Sequence, residues 1–348
     1  MDTRIWSATR LAGGAAGRVL AAAVLVAGVA ALGACGGRNG GAGPDARSEV
    51  HVVATTSILG DIVSNVMGDA GRVDVLIGAG VDPHAFEPSA AQVQMLREAD
   101  LVVANGLQLE ERLLAELDAA AREGAAVVHV AEHVDPIPFE DGSPHQADER
   151  DPERNPQPDD DADVDVDPHG ALDPHFWWDL IRVADAVTVI ADHLAQAAPD
   201  VAEAATANAA SYRSQVLETH QRIVDTLAAV PDERRTLITN HASLGYFAAR
   251  YGFRLVGTVV PGGTTLAEPS PRQLADLAQV IRTTGVPAVF TESIGSARLV
   301  EALRAEVGGE VAVVELYSDA LGRPGSGAET YLGMMTTNAQ RIADALAP

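Results

Sequence analysis

The sequence predicts an α/β protein of two lobes, each a roughly four-stranded, mostly parallel sheet flanked by helices, joined by one long rigid helix. Three observations lead there. Short β-rich runs alternate with helical patterns over residues 50–130, the same alternation returns over 236–348, and residues 200–229 between them contain neither Gly nor Pro. Strand–helix–strand order favours a parallel sheet, because parallel neighbours need a crossover and the crossover helices then cover the faces.

The first lobe is expected over 49–198. Its strand candidates are Val50–Ala54, Val73–Ile77, Leu101–Ala104 and Ala126–Val130, each rich in Val, Ile, Leu or Ala. Helical patterns fall between them at about Ile58–Met67, Ser89–Glu98 and Leu109–Arg122. The linking helix is expected over 199–230. It is rich in Ala, Glu, Gln, Arg and Leu and closed by Pro231. At 1.5 Å rise, about 30 residues span about 45 Å, the height of a two-lobe protein. The second lobe, 231–348, offers strands at Thr236–Thr239, Leu255–Val260, Ala288–Thr291 and Val311–Leu316. Helices are expected near Leu244–Arg250, Pro271–Thr283, Ala297–Ala305 and Glu329–Leu346. Each lobe opens on a similar phrase, Ala54-Thr-Thr-Ser-Ile-Leu-Gly60 and Thr239-Asn-His-Ala-Ser-Leu-Gly245, a weak hint of duplication.

Composition narrows the function. Hydrophobic residues make up 47% of the 348, enough for large cores. Formal net charge is −25, and all 24 basic residues are Arg. Phosphate backbones repel such a chain, so nucleic acid is not its partner. The one cysteine, Cys35, rules out an internal disulfide and a Cys-rich zinc module. Its setting accounts for it. Arg4, Arg10 and Arg18 precede an apolar run, Val19 to Ala31, and Leu32-Gly33-Ala34-Cys35 follows. This resembles a bacterial lipoprotein signal: residues 1–34 would be removed, Cys35 lipidated, and 35–48 left as a flexible tether on the outer face of the cell membrane. Residues 139–168 carry 12 acidic residues and two Arg, the composition of a disordered acidic loop inserted in the first lobe.

Ten histidines are present, three of them in unusual contexts. His84 lies in Gly80-Val-Asp-Pro-His-Ala-Phe-Glu-Pro88, after a strand. His175 lies in Asp173-Pro-His-Phe-Trp-Trp-Asp179, before a helix. His241 lies at a strand-to-helix turn, and Asp319 follows the Val311–Leu316 strand. Three of these four positions fall just beyond the carboxyl end of a strand, where open α/β sheets place ligands. Lobes facing edge to edge would collect all four in one cleft. Three neutral imidazoles and one carboxylate make a tetrahedral N/O set suited to Zn²⁺, with affinity falling below about pH 6 as imidazoles protonate. Each residue alone also has a plainer reading, as a turn or helix-cap residue. Asp179 is a candidate to orient a ring. His51 and His129 in strand patterns, and His193 and His220 in helices, read as structural, and His133 as a loop residue. No His-Glu-x-x-His occurs, which argues against a zinc hydrolase.

Taken together, Val53-Ala-Thr-Thr-Ser-Ile-Leu-Gly-Asp-Ile-Val63, both Asp-Pro-His phrases, His241 with Leu244-Gly-Tyr-Phe247, and Glu268-Pro-Ser-Pro-Arg-Gln-Leu274 resemble the zinc- and manganese-binding solute-binding lipoproteins of ABC importers. The resemblance implies one metal held between two α/β lobes, with His84, His175 and His241 as the ligand histidines and Asp319 as the final carboxylate. Histidine at the third position accompanies zinc in that family, and glutamate accompanies manganese. The implied protein is a lipid-anchored monomer, not an enzyme, that delivers Zn(II) to a permease in the cytoplasmic membrane. Mn(II) or Fe(II) uptake, and a surface adhesin on the same fold, are the alternatives. Residues 139–168 stand where zinc members carry a His-rich acidic loop, but hold little histidine.

Overall fold

The architecture was obtained as a computed structural model, which describes residues 49–139, 172–259, 263–266, 270–295, 301, 304–305 and 311–348. The expected signal and tether with Cys35, the acidic loop beyond Phe139, and most of the Ala297–Ala305 helix lie outside the described residues.

The first half is built on a fully parallel sheet of β1 (Val50–Thr56), β2 (Gly71–Ile77), β3 (Leu101–Ala104) and β4 (Val127–His129), in the order β2-β1-β3-β4. All four residues of β3 are buried, as a strand covered on both faces requires. Helix α1 (Ser57–Met67) follows β1 with no intervening loop, because the Thr56 hydroxyl accepts from the Leu59 N–H at 3.2 Å and caps it. Helix α2 (Ala90–Glu98) starts on a reciprocal Ser89/Gln92 capping box. Helix α3 (Leu114–Arg122) begins five residues later than the expected Leu109. Leu107 and Gln108 adopt positive φ there. The buried Glu110 carboxylate takes the chain around, accepting from Asn105 N–H at 2.7 Å, Gly106 N–H at 3.2 Å and the Thr55 hydroxyl at 2.6 Å.

Two long helices follow. Helix α4 (Leu180–Ala197) is capped by Asp179, and α5 (Ala202–Leu227) runs 26 residues, about 39 Å at the helical rise. The expected start at Pro199 is a 3-10 turn, Pro199–Val201. Along α5 the buried residues Ala205, Ala209, Tyr212, Val216, Thr219, Ile223 and Leu227 recur every three or four positions. That stripe seats the helix on α4 and α1, and leaves its other faces to solvent.

The second half contains β5 (Thr236–Thr239), α6 (Gly245–Tyr251), β6 (Arg254–Thr258), α7 (Pro271–Thr284), β7 (Ala288–Glu292), β8 (Ala312–Leu316) and α8 (Tyr331–Leu346). The four strands are present as expected and hydrogen-bond as two parallel pairs, β5–β6 and β7–β8, with β5 beside β7. One apolar core runs from Ile62 and Val66 of α1, through Ile190 of α4 and Val216 of α5, to Phe247, Phe290 and Ile342. Smaller clusters cover the remaining face of each sheet, around Val53, Leu76 and Val102 in the first half and Ile238, Leu277 and Val289 in the second.

Candidate metal centre

Four loops converge beyond the strands. His84 follows β2, and its backbone N–H donates to Asp82 Oδ1 at 2.9 Å, a turn that proline at 83 rigidifies. His175 repeats that turn: its N–H donates to Asp173 Oδ1 at 2.9 Å. His241 lies just past β5, where the Thr239 hydroxyl donates to the His241 carbonyl at 2.7 Å. Asp319 follows β8 on a loop tied to the first half. Trp177 Nε1–H donates to the Ser318 carbonyl at 2.8 Å, Leu321 N–H to the Ser57 hydroxyl at 3.0 Å, and Gly80 N–H to the Leu321 carbonyl at 3.1 Å.

His84, His175, His241 and Asp319 are all buried, and one donor atom from each lies within 4.8 Å of the others. His241 Nε2 is 3.3 Å from His175 Nε2 and 3.5 Å from Asp319 Oδ2. A tetrahedral centre with ligands at about 2.0–2.2 Å has ligand–ligand edges of about 3.3–3.6 Å, so these separations fit one small ion. Neither oxygen of Asp319 accepts a hydrogen bond among the described residues. A buried carboxylate without donors is costly unless a cation meets it.

Each imidazole turns its other nitrogen to a carboxylate. His175 Nδ1 is 2.7 Å from Asp173 Oδ1, His241 Nδ1 is 2.5 Å from Glu292 Oε1, and His84 Nδ1 is 3.3 Å from Glu111 Oε1. At His175 and His241 the carboxylate accepts a hydrogen bond, so Nδ1 carries a proton and Nε2 is the atom left for a metal, while His84 and Glu111 stand at contact distance without hydrogen-bond geometry. Burial pulls the His241 pKa down, but the neighbouring Glu292 and Asp319 charges outweigh it and carry it to about 9. Burial raises Asp319 to about 7 against the opposing pull of His241. Burial likewise raises Asp173 well above the carboxylate range, against hydrogen bonding from His175.

All four residues expected from the sequence come together. Asp179 does not orient a ring. It caps α4 through Ile181 N–H at 2.9 Å and receives Arg250 at 2.8 and 2.7 Å and Arg182 at 2.6 Å. The orienting groups are instead Asp173, Glu292 and Glu111. Asp173 stood inside an Asp-Pro-His phrase and Glu292 ends β7, while Glu111 had no sequence signal. His133 lies off the centre, its ring 5.6 Å from that of His193. His51 pairs with Asp74 at 2.9 Å, and His220 packs on Tyr251.

A closed three-imidazole, one-carboxylate set between two parallel α/β halves defines a metal-binding protein of the solute-binding class. The chain belongs to the family of the zinc-uptake complex component A, periplasmic, whose model matches residues 52–345. Members are binding proteins, not enzymes. The manganese-binding lipoprotein MntA of Halalkalibacterium halodurans is 30% identical over 312 residues, covering 90% of this chain and 93% of that one. The zinc-binding protein TroA of Treponema pallidum is 32% identical over 300 residues, covering 85% and 88%. A solved structure of the periplasmic zinc-binding protein TroA superposes with a TM-score of 0.71 at 30% identity, covering 86% of this chain and all of that one.

Proposed function

We propose that the chain captures Zn²⁺ between His84, His175, His241 and Asp319 and delivers it to the permease of an ABC importer. The observation that carries this reading is the Asp319 carboxylate, buried without a hydrogen-bond donor and facing the Nε2 edge of His241 at 3.5 Å. The donor types favour zinc: Mn²⁺ prefers oxygen-rich sets, and a third imidazole moves preference toward Zn²⁺. The relatives divide, MntA being named for manganese and TroA for zinc. Whichever ion is carried, the chain serves as the substrate-binding component of a metal ABC transporter. One chain supplies every ligand, so a monomer suffices. Lipidation of Cys35, after removal of residues 1–34, would hold the protein at the outer face of the membrane.

Elemental analysis of the purified protein and equilibrium competition with a chromophoric chelator test the reading. His84→Ala and Asp319→Ala should each lower zinc affinity by more than the about 10–100-fold typical of losing an outer hydrogen-bond partner. Unchanged affinity in both would overturn the site. His241→Glu should move preference toward Mn²⁺, read as Mn²⁺ displacing Zn²⁺ at lower excess than in the wild type. If Mn²⁺ already competes on equal terms with Zn²⁺ in the wild type, the zinc assignment falls and the site remains.

A further inference from the structure

We infer that Thr264 and Thr265 are positioning residues that hold His84 on the metal from the opposite half of the molecule and thereby set how slowly the ion leaves. The inference rests on the metal reading above. The Thr264 hydroxyl donates to Glu111 Oε1 at 2.8 Å, and that same oxygen lies 3.3 Å from His84 Nδ1. The Thr265 hydroxyl donates to Asp82 Oδ2 at 2.5 Å, while the other oxygen, Asp82 Oδ1, receives the His84 backbone N–H at 2.9 Å. The backbone of this ligand is therefore hydrogen-bonded to one carboxylate and its ring faces another at 3.3 Å, and each carboxylate receives a threonine hydroxyl from 153 or 183 residues away in the chain.

The local geometry is specific. The Thr264 oxygen accepts the Leu266 N–H at 3.1 Å, which leaves its own O–H directed at Glu111. Gly263 sits against Phe139, and a β-carbon there would be driven into the Phe139 ring. That ring in turn lies edge-on to His175, centroids 6.2 Å apart. The short segment 263–266 thus touches the first half at Glu111, Asp82 and Phe139. The other orienting carboxylates are held from nearby. Glu292 receives Asn240, the neighbour of the ring it orients, and Asp173 receives the backbone N–H and the ring of His175. Among the described residues, His84 is the imidazole whose support comes from both halves. It is the ligand whose departure would open the centre, and it moves only when the two hydroxyls let go. Charge-assisted O–H···O⁻ bonds are among the stronger contacts a protein makes, so their loss should act on dissociation far more than on association.

The test is stopped-flow release of Zn²⁺ from the loaded protein into excess chromophoric chelator. Thr264→Val and Thr265→Val keep shape and remove the hydroxyl. Each should release zinc about tenfold faster or more, in line with the cost of an outer partner of a ligand, with association rates close to wild type. Thr264→Ser, which restores the hydroxyl, should release zinc at the wild-type rate. Wild-type release from both valine variants and from the double variant would overturn the inference. So would a serine variant as fast as the valine one, which would assign the effect to packing. Should Thr264→Val fail to fold, Thr265→Val alone carries the test, since Thr265 is only partly buried. His175→Ala, outside the threonine contacts, separates the two readings. If it binds zinc as the wild type does, the ligand set is wrong. If it loses zinc while the threonine variants behave as wild type, only the grip on His84 is wrong.

Discussion

His241 stands between two carboxylates, Glu292 at 2.5 Å on one nitrogen and Asp319 at 3.5 Å from the other. Burial disfavours its charged form, yet these neighbours lift its pKa to about 9. The metal-free protein therefore holds a proton on His241 at neutral pH, and a ligating Nε2 must give it up. The sign follows. A raised pKa stabilises the metal-free fold below the ordinary histidine value near 6.5, and that contribution is lost as pH climbs through about 9. Metal affinity should accordingly rise between about pH 7 and 9, by about tenfold per pH unit for one proton released. Calorimetry at pH 7.5 in buffers of different ionisation enthalpy should show that proton; a pH-independent affinity over this range would contradict it. Free imidazoles alone put the loss of affinity below about pH 6. The carboxylates that move it upward lie 51 residues from His241 along the chain, or further, and no local motif announces them. His84 and His175 were legible because an Asp-Pro turn precedes each. Their orienting partners were legible only where, as with Asp173, the turn residue itself does the orienting.

At the scale of elements, the pairing of Asp179 with Arg250 ties the first turn of α4 to α6, and so links the chain around His175 to the chain after His241. Burial alone would raise the Asp179 pKa, but hydrogen bonds from Arg250 and Arg182 outweigh it and leave it lowered. The stability it contributes is present above the ordinary carboxylate range and is lost as pH falls through the lowered value. Asp179→Ala removes a helix cap and leaves two arginines facing a buried gap. It should destabilise the fold by about 2–4 kcal/mol, read by urea denaturation, while zinc affinity of the folded protein changes less than it does in Glu292→Gln. A variant as stable as the wild type would show that this pairing is dispensable. The elements themselves were largely readable. β3 and β5 match their expected bounds residue for residue, because each is a short, fully buried run rich in apolar or β-branched residues. The start of α3 was not, because the turn before it is organised by Glu110, a buried acid that composition assigns to the surface.

Across the whole molecule, the two halves share their largest apolar core. Tyr212 O–H of α5 and Tyr331 N–H of α8 both donate to Asp61 Oδ2 of α1, at 3.3 and 3.0 Å, so one carboxylate joins three helices from different parts of the chain. The apolar core is continuous along the same path, and Ser48–Pro348 forms one compact unit. Thermal unfolding of the metal-free protein should be a single transition, with far-UV circular dichroism and the fluorescence of Trp177 and Trp178 changing together. Two resolved transitions would show halves that melt independently. Alternating strand and helix patterns foretold two lobes. They could not foretell this sharing, since the apolar stripe of α5 reads the same whichever neighbour it meets.

The residues flanking 140–171 meet at one antiparallel bridge, Pro138 to Leu172, and Asp173 N–H closes it further by donating to the Ile137 carbonyl at 2.8 Å. The chain on either side of 140–171 is thereby clamped at a single point, three residues before a histidine of the candidate site.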